Sequence, residues 1–325
     1  MSYKSIDALM RHLRDNGIAI SGSKEKRQLL NIGYFHGYKG YRFFKQASNK
    51  LPFKSYGEIQ ATITYDSQLK SILYSKIMFI ESALKSISLE TIMSKTDSPT
   101  IQAMYDNVLS GYNNAPVDAT EGKKCKLQQK KLDLQKSIRS SLSFNYQKKN
   151  VKITHFYNNG YNEVPLWALF EIMTMGEFGN LLSCLTKDVR EDISKQIGLN
   201  ISGDSERVLL HQYVYTLKDL RNAIAHNAVI FDARFCTIDC SRVMHRCLEN
   251  EIGLPYVNFK TIGDYIILVC YFLKLLKMPK TEIKGIIREF KKVTAQYKKS
   301  VDTSVYTMVV HPDLESRMLL LEKYI

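Results

Sequence analysis

Arg221, Asn222 and His226 stand together in the string Leu220-Arg221-Asn222-Ala223-Ile224-Ala225-His226. An arginine offers phosphate oxygens a planar fork that stays charged at any physiological pH. A histidine titrates near neutrality and can give or take a proton. Together they are the groups that cleaving a phosphodiester without a metal ion requires, provided that both face one substrate.

The elements around them decide whether they can. The turn at Ser202-Gly203-Asp204 and the apolar spacing after it predict a helix from about Glu206 to His226. At about 100° per residue, Tyr213, Leu217, Leu220 and Ile224 fall within roughly 60° of arc and form its core-facing stripe. Asn222 and His226 lie about 150° to 170° from the centre of that stripe, and Arg221 about 70°. The trio therefore points outward or sideways. Asn222 and His226 are an i,i+4 pair, so Asn222 is expected to orient the imidazole. One arginine and one histidine make half a site. Two copies of the helix meeting across a two-fold axis bring two of each to one cleft, so a homodimer through this helix is expected.

The rest of the chain reads as helical. Pro is scarce at 7 residues and Gly modest at 16, and apolar residues recur at threes and fours. A short helix is predicted over residues 4–15, ended by Asp15-Asn16-Gly17, and a second after a cap at Ser23. Three glycines among six aromatics between Asn31 and Lys45 imply tight turns packed under rings. In that stretch Lys39 and Arg42 could hold phosphates beside stacked bases, although a small aromatic core explains the same residues. A long helix is predicted from Tyr56 to Lys95, with Leu69, Ile72, Leu73, Ile77, Ile80, Leu84 and Ile87 as its stripe. Glu81 sits on or beside this stripe, which calls for a buried ion pair.

Residues 123–149 carry Lys123, Lys124, Lys126, Lys130, Lys131, Lys136, Arg139, Lys148 and Lys149 against only Asp133, a basic helix that could track a nucleic-acid backbone. Pro165 suits the first turn of a helix carrying Trp167, the only tryptophan and a core candidate. Gly176 and Gly179 are read as closing that segment, with helical spacing resuming from Leu181 to Ile197. Tyr265 to Leu276 and Lys280 to Tyr297 read as two further helices broken at Pro279.

These elements give an all-α fold: an N-terminal helical and aromatic segment (1–50), a helical domain (51–245) with a basic insertion at about 100–150, and a C-terminal helical extension (246–325). The formal net charge of +14 exceeds what solubility needs and points to a polyanionic partner, nucleic acid first. No segment is long and apolar enough to span a bilayer, so no membrane partner is expected. The six cysteines lack paired spacing and follow no secretory leader, which implies reduced thiols in a cytoplasmic chain. Cys236, Cys240, His245 and Cys247 match no common zinc framework, so no metal or cofactor is expected.

The R-N-x3-H string on a helix resembles the R-x4-6-H motif of the HEPN superfamily. The wider pattern resembles the AbiD/AbiF-like abortive infection proteins of bacteria. It includes Gly33-Tyr34 and Gly37-Tyr38, Tyr65-Asp66 with Leu69-Lys70 and Glu81, Pro165-Leu166-Trp167 with Glu171 and Gly176, and Leu220-Arg221-Asn222 with Ala225-His226. The resemblance spans roughly residues 20 to 235. It implies a HEPN-type bundle in which Glu81, Trp167 and Glu171 give structural support, and a metal-independent endoribonuclease whose catalytic residues are Arg221, Asn222 and His226. It also implies a role in phage defence or as the toxin of a toxin-antitoxin pair, with a small non-coding RNA as a partner in some relatives. The chain departs from the pattern after His226, where relatives often carry a second histidine and then Arg-Leu and this sequence has Asn227-Ala228-Val229-Ile230.

On that reading the RNA's own 2′-hydroxyl attacks the adjacent phosphate, leaving a 2′,3′-cyclic phosphate and a 5′-hydroxyl. The competing expectation is a non-catalytic RNA-binding protein that holds a structured non-coding RNA, with salt-sensitive binding and no products.

Overall fold

A computed structural model describes residues 4–161, 163–236 and 240–325. Its regular structure is helical, with no β-strand among the described residues. In chain order the helices are α1 (Ile6–Asp15), α2 (Gly22–Ile32), α3 (Tyr56–Met93), α4 (Ile101–Asn107), α5 (Glu121–Gln147), α6 (Val151–Asn158), α7 (Leu166–Ile172) and α8 (Met175–Cys184). There follow α9 (Lys187–Ile197), α10 (Leu209–Ala225), α11 (Arg242–Ile252), α12 (Ile262–Leu275), α13 (Lys280–Ser300), α14 (Thr303–Val309) and α15 (Leu314–Tyr324). A π-helical turn spans Tyr34–Lys39.

These elements form two compact units, each discontinuous in sequence. The first comprises Met1–Ile77, Asp219–Cys240 and Leu248–Ile325; the second comprises Met78–Lys218 and Ser241–Cys247.

In the first unit, Ser5 caps α1 by accepting from the Ala8 N–H, and Gly17 at φ +79° makes the turn that ends it. The second helix begins after Ser21 rather than at the expected cap Ser23, and the Ser21 N–H donates to Glu25 Oε2 at 2.6 Å. Gly33 at φ +81° terminates it and admits the π-helical turn. In that turn Gly37 is required sterically, because a Cβ there would stand 2.8 Å from Ile32 Cγ2. The apolar run Tyr265 to Leu273 in α12 is wholly buried. Asp264 at its start forms a buried ion pair with Arg317 of α15.

In the second unit, α5 is the expected basic helix. Thr120 caps it, and it anchors through Leu134 and Ile138, an i,i+4 pair buried on one face. Glu81 is buried and paired with Lys85 one turn on, at 2.8 Å. That is the ion pair its place beside the apolar stripe demands.

Two expectations fail here. Trp167 is 48% exposed and not a core residue. The buried side of α7 is taken by Leu166, Leu169 and Phe170, and Trp167 lies about 100° round the helix from Leu166. Gly176 and Gly179 do not close a helix either; they lie inside α8. That helix starts from a reciprocal capping box between Thr174 and Glu177. A Cβ at Gly179 would stand 2.8 Å from the Tyr215 ring, so a larger residue there would displace that ring.

His211, near the start of α10, is partly buried. Burial first, then the positive charges of Arg190 and Lys130, pushes its pKa down from 6.5 to about 4. The folded state therefore binds a proton at His211 less readily than the unfolded chain does. Between about pH 6.5 and pH 4 the unfolded chain takes up the proton first, so stability falls as the pH drops through that window. Thermal melts across it should show a falling midpoint, and His211→Gln should flatten part of the decline.

Candidate functional site

The motif occupies the last turn of α10. Leu220, Ala223 and Ile224 are buried, Arg221 and Asn222 are half-buried, and His226 is exposed. Ala225 is the last helical residue, yet the His226 N–H still donates to the Asn222 carbonyl at 3.0 Å, so His226 remains one turn beyond Asn222. Arg221 Nη1 donates to Asn222 Oδ1 at 3.3 Å. Among the described residues no hydrogen bond joins the Asn222 and His226 side chains. The asparagine amide thus meets the guanidinium and not the imidazole.

The residue after His226 explains where the helix stops. Asn227 adopts φ +52°, a left-handed conformation that asparagine tolerates better than most residues. The Ala228 N–H then reaches back to the Ala223 carbonyl at 2.8 Å, and the Asn227 N–H to Ile224 at 3.1 Å. These two bonds are the Schellman closure of a helix C-terminus. The departure from the resembled family pattern after His226 is therefore a helix terminator, and it leaves the imidazole on the terminal turn.

The chain beyond the turn is clamped from α3. Asp66 is fully buried and accepts three hydrogen bonds, from the Ile230 and Phe231 N–H groups at 2.7 Å each and from the Tyr41 hydroxyl at 2.8 Å, and it forms an ion pair with Lys70 Nζ at 2.7 Å. A buried carboxylate is tolerable only with such a set of donors. Lys70 also donates to Asn227 Oδ1 at 2.9 Å, and Asn227 Nδ2 lies 3.3 Å from His36 Nε2. Burial, reinforced by the Asp66 charge, pushes the Tyr41 hydroxyl far above its ordinary range, so it stays protonated and donating.

A second buried carboxylate, Asp232, takes the Lys45 N–H and the Arg234 guanidinium. Arg234 donates in turn to the Gly40 and Phe43 carbonyls at 2.8 Å and lies 4.3 Å from the Phe43 ring centroid. The post-motif segment and the aromatic segment are thereby fixed to each other and to α3. Asp66, Lys70, Asn227, Asp232 and Arg234 escaped the sequence reading as positioning residues. The acid-before-base i,i+4 spacing of Asp66 and Lys70 beside an apolar stripe was the available signal.

Arg221, Asn222 and His226 share the first unit with Lys39 and Arg42. Tyr38 and Tyr41 are buried, so the stretch from Tyr34 to Phe44 contains the small aromatic core. Lys39 Nζ lies 5.6 Å from the Tyr34 ring centroid and the Arg42 guanidinium 6.0 Å from that of Tyr38. Burial, and then the charges of Arg42, Lys4 and Lys50, lowers the Lys39 pKa, the mark of a positive local field.

The other candidates belong to the second unit. On α5, Lys123, Lys126, Lys130 and Arg139 are exposed, and Lys124 and Lys131 half-buried. Glu171 is exposed and paired with Lys152. Trp167 and Glu171 line a groove of about 590 Å³ with Phe79 and Lys85. The six cysteines are free thiols, and among the described residues no three His, Cys, Asp or Glu side chains gather as a metal site. No described helix is long and apolar enough to cross a membrane.

The sequence model of the Abi-like protein family matches residues 27–232, from α2 through the clamped segment. The chain belongs to this family, which is one of abortive infection, a form of phage defence. No curated protein and no solved structure gives a significant match.

Proposed function

We propose that this chain is a HEPN-type endoribonuclease of abortive infection that cleaves RNA without a metal ion. The observation that carries the reading is the exposed His226 beside the half-buried Arg221 on a terminal turn fixed by Asp66 and Asn227. The RNA 2′-hydroxyl attacks the adjacent phosphorus, the bond to the 5′-oxygen breaks, and that oxygen leaves with a proton. Two proton transfers are needed, one from the 2′-hydroxyl and one to the leaving oxygen. A single imidazole performs one at a time, which favours a homodimer that brings two copies of His226 to one phosphate.

A helix C-terminus presents carbonyl oxygens, which repel an anion, so phosphate affinity there must come from side chains. Arg221 supplies it, and the bond from Arg221 to Asn222 Oδ1 supports an orienting role for Asn222 toward the guanidinium. The exposed lysines of α5 suit the sugar-phosphate backbone of the substrate or of a restraining non-coding RNA. In this reading the protein acts in the cytoplasm, as a defence nuclease or as the toxin of a toxin-antitoxin pair.

Incubating the purified protein with RNA in excess EDTA tests the proposal. The expected products end in 2′,3′-cyclic phosphate and 5′-hydroxyl groups. Intact RNA, or cleavage that needs added metal, contradicts it.

A further inference from the structure

Where α5 meets α6, the second unit exposes four aromatic rings within eighteen residues: Phe144, Tyr146, Tyr157 and Tyr161. A cleft of about 410 Å³ lies among them, lined by Arg139, Leu142, Ser143, Tyr146 and Tyr157. The first four stand at i, i+3, i+4 and i+7 and so share one face of α5. Leu142 and Phe156 pack on the buried Ile153, Val164 and Ala168, while the neighbouring Tyr146 and Tyr157 stay exposed. The corner between the helices is fixed. The Asn150 N–H donates to the Asn145 carbonyl at 3.0 Å and the Lys149 N–H to that of Tyr146 at 2.9 Å, with Lys149 at φ +55°, a Schellman closure. Asn150 then caps α6 by accepting from the Lys152 N–H at 3.1 Å. The Tyr146 and Tyr157 rings lie 5.7 Å apart, edge to face, and the Tyr146 hydroxyl donates to Asn158 Oδ1 at 3.1 Å. The cleft is thus preformed, and an edge-to-face pair leaves ring surface for a third flat group.

Charge decides what that group belongs to. From Leu134 to Tyr161 the chain carries five Lys or Arg and no Asp or Glu. Lys152 is paired with Glu171, and Lys148 Nζ lies 5.7 Å from the Phe144 ring centroid. Arg139, in the wall of the cleft, is exposed and forms no ion pair among the described residues. A cluster of exposed rings marks a binding surface, and cations without carboxylates draw a polyanion to it. A polyanion with flat apolar faces is a nucleic acid whose bases are unpaired.

We infer that this cleft stacks an unpaired base of single-stranded RNA on Tyr146 and Tyr157, with Arg139 on an adjacent phosphate, and that the protein therefore prefers single strands to duplexes. The inference rests on the reading that RNA is the partner, and not on its being cut. Lysines alone bind the phosphates of either form. In a duplex the base faces are stacked on one another, and A-form RNA offers protein mainly its phosphates and 2′-hydroxyls. Only a single strand can fill the cleft. Every base has a π-face, so stacking on tyrosine tolerates any sequence.

The test is fluorescence anisotropy of two labelled RNAs of equal length, an unstructured strand and a duplex, titrated with the full-length chain carrying His226→Ala so that the RNA stays whole. Tyr146→Ala, Tyr157→Ala, Tyr146→Phe and Arg139→Gln are added to that background. The background protein should bind the single strand more tightly than the duplex. Each alanine variant should lose about tenfold to a hundredfold in affinity for the strand, with duplex affinity, salt dependence and melting temperature unchanged. Tyr146→Phe, which keeps the ring, should bind as the background does. Arg139→Gln should weaken binding of the strand and lower its salt slope by about one. Equal affinity for the two RNAs, or alanine variants that bind the strand like the background, overturns the inference. Should the alanine variants melt early, Arg139→Gln decides, and its unchanged affinity for the strand overturns the inference. Wild-type cleavage of RNA without a single-strand preference leaves the ribonuclease reading standing and removes this one. A single-strand preference that needs the tyrosines, in a wild type that cuts nothing, does the reverse.

Discussion

His226→Ala should lower RNA cleavage by about 100- to 10,000-fold, the range associated with removing a positioned general acid or base. The substitution should leave the fold alone. His226 is exposed, its backbone N–H bond to Asn222 survives the change, and its side chain makes no hydrogen bond among the described residues. Surface replacements of this kind shift stability by no more than about 0.5 kcal/mol. The melting temperature should thus match that of the wild type, and RNA affinity, set by basic groups elsewhere, should change little. Cleavage rate, melting temperature and affinity measured on one preparation separate lost chemistry from lost structure. Full activity in His226→Ala would remove the histidine from the mechanism.

Asp66→Ala carries the largest expected stability cost in the site. Three hydrogen-bond donors and the Lys70 ammonium converge on this carboxylate, two of the donors being backbone N–H groups of the segment that follows the motif. Removing one partner of a buried ion pair costs about 3–5 kcal/mol, because the other charge remains buried without compensation. For a chain of 325 residues that is a fall of about 4–7 °C in melting temperature. Asp66→Asn should be intermediate, since an amide keeps one acceptor oxygen for the Ile230 and Phe231 N–H groups but cannot pair with Lys70. Activity should fall further than stability, because the segment held by Asp66 begins four residues after His226. Circular dichroism melts of the two variants give the ordering, and an Asp66→Ala protein melting within about 2 °C of wild type contradicts the clamp.

What was legible in the sequence follows from the range of the interactions involved. The long helix α3 and the pair α12 and α13 were readable because apolar residues recur at threes and fours and because Pro279 breaks the second pair. The direction of the motif was readable for the same reason: Leu220 and Ile224 are buried and His226 is exposed. The clamp was only partly readable: Lys70 stands one helical turn from Asp66, but the backbone groups that Asp66 holds lie 164 and 165 residues away, and no local pattern reports them. Trp167 misled because an aromatic side chain in a helix is buried only where another element covers its face. Gly176 and Gly179 misled because low helix propensity was weighed above the capping box that precedes them, and because the Tyr215 ring that fills the space over Gly179 lies 36 residues further on. Asn222 was assigned to His226 from spacing, whereas its amide meets the adjacent Arg221.

The central claim is that the RNA's own 2′-hydroxyl is the nucleophile and that His226 and Arg221 serve it. The most direct measurement replaces a single ribonucleotide at a mapped cleavage site by its 2′-deoxy analogue and compares the two oligonucleotides in excess EDTA. The all-ribose strand should be cut, with a 2′,3′-cyclic phosphate on the upstream fragment, and the substituted strand should stay whole at that position. Equal cleavage of both strands, with a 5′-phosphate on the downstream fragment, would mean that water is the nucleophile and that the proposed chemistry is wrong.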